Sequence, residues 1–260
     1  MAGMAGAGAL LRGAGRLLRL GGGGGGASRG GLAGSRGLAA AGGAGGAPAF
    51  GELFREGRPR VLALDRPPLE AAVEERGPWL YGAALRAFGF FSRESVLVRG
   101  ARNLCDAATA RGTSPEFLAA LGLEADFRAQ HAMVGLHVWM LLVRLRRRGD
   151  EATRVSEDLY RQFQLDTERR VYNEGVRVRV SKWLKELEKI FLGQCLALDK
   201  ALEGDKGDLE VALRKNVFAG EGDRQAAAAL ARYVRRELAS LEMTDLDAVL
   251  IGDIAFNAED

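Results

Sequence analysis

The chain has 260 residues, with 37 Lys and Arg against 34 Asp and Glu and a formal net charge of +3. The first 60 residues hold eight arginines and two glutamates, +6 in all, which leaves −3 for the rest. The basic balance therefore belongs to the N-terminus, and a broad nucleic-acid-binding face, which needs an excess of Lys and Arg, is disfavoured for the body. Two cysteines, Cys105 and Cys195, with no CxxC pair, argue against a disulfide framework and against a zinc site.

Residues 1–47 contain Arg12, Arg16, Arg19, Arg29 and Arg36, no acid, and otherwise mostly Gly, Ala, Leu and Ser. Such a segment buries too little apolar surface to offset its ordering entropy, so it reads as a disordered Gly/Ala/Arg-rich presequence. Arg12, Arg16 and Arg19 fall on one helical face, with Leu10, Leu11, Leu17 and Leu18 opposite. That pattern, acid-free and interrupted by Gly13 and Gly15, predicts an organelle transit peptide rather than a secretory signal. Residues 48–78 carry Pro48, Pro59, Pro67, Pro68 and Pro78 and read as a linker, since proline removes a donor and restricts its predecessor.

From Trp79 the apolar residues recur at helical spacing. A helix over Trp79–Phe88 follows Pro78. Ser92 caps a second, from Arg93 to about Ala110, with Val96, Leu97, Leu104 and Cys105 or Ala108 inward. Ser114, Pro115 and Glu116 start a short third that stops at Gly122. A central helix runs from about Asp126 to Arg148, almost purely apolar between Met133 and Val143 and then abruptly basic, with Gly149 placed as its C′ cap. An apolar run of about ten residues is too short for a bilayer, which needs roughly 20. Glu151–Glu174 follows, with Val155, Leu159, Phe163 and Val171 on one face and Gly175 as terminator. Val176 to Val180 alternates like a strand, but the spacing Val176, Val180, Trp183, Leu184, Leu187 and Phe191 predicts helix throughout. Asp208 then caps Leu209–Phe218, Arg224–Leu241 turns Leu230, Val234 and Leu238 inward, and Thr244 caps a last helix through Leu250. The expectation is all-α: a single compact multi-helix domain over residues 79–256, with 257–260 a polar tail.

Chemistry is scarce. His131 and His137 are six apart, about 240° around a helix, whereas two ligands on one face need a spacing of three or four. His137 among Leu136, Val138, Trp139 and Met140 reads as a satisfied core residue. No P-loop, dinucleotide fingerprint, nucleophile elbow or HExxH motif occurs. Hence no catalytic residue, cofactor or metal is expected. Two basic clusters remain. Arg144, Arg146, Arg147 and Arg148 compensate a helix dipole and pair with Glu151, Glu157 or Asp158, or else contact ribosomal RNA or an acidic partner. Arg177, Arg179 and Lys182 surround Trp183, together with Lys185. They suit an acidic partner or a membrane surface, or else solvate an ordinary amphipathic helix with Trp183 inward.

The segment LHVWMLLVRLRRRG resembles the most recognisable stretch of the ubiquinol–cytochrome c chaperone family, assembly factors of the respiratory bc1 complex. GFFSRESVLVRGARNLC, PEFLAALGLEADFRAQHAMVGLHVW, LEVALRKNVF and LARYVRRELASLEMTDLDAVLIGDIAF agree in order and spacing, so the resemblance covers roughly Leu85 to Phe256. It implies a non-catalytic chaperone on the matrix side of the mitochondrial inner membrane, soluble or in peripheral contact with it. Its implied partners are a small assembly-factor protein, nascent cytochrome b and the mitochondrial ribosome. It transfers no site residue, so Arg144, Arg146, Arg147, Arg148, Arg177, Arg179, Lys182 and Trp183 are partner-binding candidates on their chemistry alone. A helical RNA-binding or translational-activator protein of the organelle is the competing reading.

Overall fold

A computed structural model describes residues 58–66, 79–220 and 223–256. The expected presequence, most of the linker and the tail at 257–260 lie outside them. The described residues hold nine helices and no strand: α1 Trp79–Ala87, α2 Arg93–Gly112, α3 Pro115–Ala120, α4 Phe127–Leu145, α5 Asp150–Asn173, α6 Val180–Glu203, α7 Lys206–Asn216, α8 Arg224–Met243 and α9 Leu246–Leu250. The all-α, single-domain expectation is met.

The fold is built around α4. Every residue from His131 to Leu142 is buried, because α2, α5, α6 and α8 each pack against it. A helix covered on all sides needs no amphipathic stripe, which explains its uniformly apolar sequence. α2 can lie very close to α4 because it ends in glycine. A Cβ on Gly112 would stand 2.6 Å from the Val134 nitrogen and 2.7 Å from its Cα. α5 turns Val155, Leu159, Phe163 and Val171 inward, and α7 turns Leu209, Ala212, Leu213 and Val217 inward, as their spacing predicts.

Several boundaries differ from expectation, each for a local reason. α4 stops at Leu145, and Arg146 is its C-cap, donating its N–H to the Leu142 carbonyl. The left-handed residue after it is Arg147 (φ 59°), not Gly149. Gly149 serves instead as N-cap of α5 at φ 102°, ψ −175°, backbone that essentially only glycine adopts. Residues 176–179 are not helical: Gly175 reverses the chain, Arg179 is left-handed, and α6 begins only at Val180. Asp205, rather than Asp208, caps α7, with Asp208 closing the capping box from the third position. Thr244 is the C-cap of α8, and Asp245 caps α9.

Residues 58–66 form no helix and pack against the body. Leu62 is buried, Ala63 and Ile254 form an antiparallel bridge, and the Leu62 N–H donates to the Thr244 hydroxyl at 2.9 Å. This part of the proline-rich stretch is thus packed into the domain.

Candidate functional site

His137 is wholly enclosed. Its Nδ1 donates to the Met133 carbonyl at 2.7 Å, an acceptor only, which leaves Nε2 to accept from the Tyr233 hydroxyl at 2.8 Å. Phe117, Tyr233 and Phe256 pack against the ring. Burial drives its pKa down to about 3, so it stays neutral, a satisfied core histidine as expected.

The first basic cluster is largely consumed by the fold. Arg144 is buried and lies across the end of α8, where its Nε donates to the Leu241 carbonyl at 2.6 Å and its Nη2 to the Thr244 carbonyl at 3.0 Å. These carbonyls stand at a helix C-terminus, where four acceptors lack intrahelical partners, so Arg144 is a side-chain cap supplied by a neighbouring helix. Arg146 grips Asp199 of α6 with two bonds of 2.9 Å, and the Trp139 indole N–H donates to the same carboxylate at 2.8 Å. Arg148 pairs with Glu242. The partners are therefore Asp199 and Glu242, not Glu151, Glu157 or Asp158. Glu151 pairs with Arg93 and Asp158 with Arg161. Arg147 alone among the four is exposed and in no ion pair among the described residues.

The second cluster sits at the opposite end of α5, a helix about 36 Å long at ~1.5 Å per residue, so the two do not form one surface. Arg177 and Arg179 belong to the loop between α5 and α6, and Lys182 and Trp183 to the first turn of α6. Arg177 lies over the Tyr172 ring, 5.4 Å from its centre. Trp183 does not point inward: it is 57% exposed, and Val178 is 74% exposed. Because α6 starts at Val180, Val176 does not share its buried face, and that face is set by Phe191, Gln194, Leu198 and Ala201 instead.

Between α5 and the first half of α6 runs a half-open groove of about 310 Å³, lined by Phe163, Leu165, Leu184, Leu187 and Phe191 with His131 beneath. Tyr160 and Gln164 both donate to Glu188 at 2.8 and 3.3 Å, bracing the two helices at one point. His131 stacks against Phe127 and Phe163. Burial, then the nearby Arg170, lowers its pKa to about 4, so it presents a neutral, largely apolar ring. On α6, Trp183, Leu187 and Ile190 continue this lining outward at i, i+4 and i+7. Trp183 and Ile190 are more than half exposed, as is Leu165 across the groove. An exposed apolar strip beside an apolar cleft marks a surface for another molecule. Sequence reasoning missed the groove, because the helical spacing that places Leu184 and Leu187 in a core also places them in a cleft. The one available signal was surplus: α6 carries more apolar residues than one buried face uses.

No helix among the described residues is long and apolar enough to cross a membrane. No curated protein matches the chain. A solved structure, the crystal structure of the Cbp3 homolog from Brucella abortus, is similar in fold, with a TM-score of 0.57 at 22% identity over 67% of this chain and 97% of that one. Residues 119–256, which span α4 through α9 and more than half of the chain, match the family described as Ubiquinol-cytochrome C chaperone, and the chain belongs to that family.

Proposed function

We propose that the protein is a non-catalytic assembly factor for the cytochrome bc1 complex. It holds newly made cytochrome b transiently in the α5/α6 groove, acts with a small partner protein, and works beside the mitochondrial ribosome on the matrix side of the inner membrane. The observation that carries this reading is the groove itself, in a chain of a chaperone family: an apolar cleft of about 310 Å³, open to solvent and continuous with an exposed strip. Apolar helices of a membrane protein awaiting insertion need such a surface, and helix-in-groove binding supplies it without chemistry. The enclosure of His137 fits the same reading, since it leaves the histidine no access to a substrate.

Immunoprecipitation of the tagged protein, followed by mass spectrometry and RNA sequencing of the same eluate, tests it. Cytochrome b and a small protein partner are expected. Enrichment of a specific RNA without either would assign an RNA-binding or translational-activator role instead.

A further inference from the structure

The α5/α6 groove is electrically asymmetric along its length. Lys185 lines it, and Lys182, Arg179 and Arg177 follow toward the loop that joins the helices. Residues 172–185 hold these four bases and a single acid, Glu174, while one further acid, Glu168 of α5, lines the groove, so the bases remain in excess at this end. All four are exposed, and none is in an ion pair among the described residues. Farther along, where Phe163 meets Phe191, the groove is lined by two charges that already have partners: Arg161, paired with Asp158, and Glu188, engaged by Tyr160 and Gln164. The floor thus asks for an apolar partner, and one end of the cleft asks for negative charge.

We propose that the groove takes an apolar helix bearing acidic side chains at the end that lies against Arg177, Arg179 and Lys182. This rests on the client-holding reading of the groove and adds a polarity to it. Apolar contact with Leu165, Trp183, Leu187 and Ile190 supplies the attraction. The basic end sets the direction, because reversing the guest places like charges together or leaves the bases unpaired. Nucleic acid would engage the bases but would leave Leu165, Leu187 and Val178 against a charged backbone, and a bilayer would not reach into a cleft.

The test uses the full chain and three fluorescein-labelled apolar helical peptides, identical except for a terminal pair of Glu, Gln or Lys. The Glu-ended peptide is expected to bind about ten-fold more tightly than the Lys-ended one at low salt, with the gap closing at roughly 0.5 M salt. Replacing Arg177, Arg179 and Lys182 together by Gln should abolish the preference while thermal melting stays as in the wild type. Leu187→Glu, or Leu165→Glu at a more exposed position, should weaken all three peptides alike. Binding that is sensitive to Leu187→Glu and Leu165→Glu yet indifferent to the terminal pair would overturn the polarity and leave the groove reading standing. Failure of every peptide to bind, or binding insensitive to both Leu substitutions, would overturn the groove reading and the polarity with it. A triple Gln variant that keeps the Glu preference but loses anionic vesicles or RNA would reassign the bases to those surfaces and overturn the proposal.

Discussion

At the scale of single residues, arginines within three positions of one another do quite different work. Arg144 is buried against two carbonyls at the end of α8, Arg146 is half-committed to Asp199, and Arg147 reaches into solvent from left-handed backbone. Removing a buried charged donor leaves its acceptors unsatisfied, so Arg144→Met should cost about 3 kcal/mol in urea unfolding. Arg146→Ala should cost about 1 kcal/mol, as befits a bidentate but partly exposed pair. Arg147→Gly should leave stability unchanged or raise it by up to about 1 kcal/mol, since glycine adopts that backbone freely. If the cluster docks to ribosomal RNA, Arg147→Gly should still lower ribosome cosedimentation; unchanged cosedimentation would confine the cluster to helix capping and ion pairing. The run of basic residues was legible in the sequence. Its division was not, because the partners Leu241, Thr244, Asp199 and Glu242 lie 53 to 100 positions away.

At the scale of elements, the central helix and its neighbours were readable because their signals are local. Ser92, Ser114 and Asp126 each cap the helix they precede, and the buried faces of α5 and α7 follow their period. Expectation and structure part where two nearby residues suit one role or one residue suits two. Asp205 and Asp208 both suit a cap, Gly149 suits either the end of α4 or the start of α5, and the alternating valines before α6 match helical spacing by coincidence. Close approach was invisible to the sequence, since a glycine at a helix end reads as a terminator whether or not another helix touches it. Gly112→Ala puts a methyl against the Val134 backbone, which cannot rotate aside as a side chain can. It should cost at least about 2 kcal/mol by separating α2 from α4, read as a lowered denaturation midpoint with the helical circular dichroism of the native state retained. A midpoint equal to wild type would show that the two helices have room to shift.

At the scale of the whole molecule, the architecture divides labour. α4, sheathed by α2, α5, α6 and α8, secures the core, and the α5/α6 pair holds a cleft open at its margin. All-α class and family were legible from the apolar-then-basic segment of α4 and the motifs around it, whereas the groove was not, because a cleft exists only once two helices separated by a loop are set side by side. The proposed role of this cleft is to support bc1 assembly. The most direct measurement is the bc1 content of mitochondria lacking the protein, after re-expression of the wild type or of the Leu187→Glu form at equal levels. The wild type should restore the complex, and Leu187→Glu, folded and of near-native melting temperature, should restore a small fraction of it. Full restoration by Leu187→Glu, or a normal bc1 content in the cells that lack the protein, would contradict the account.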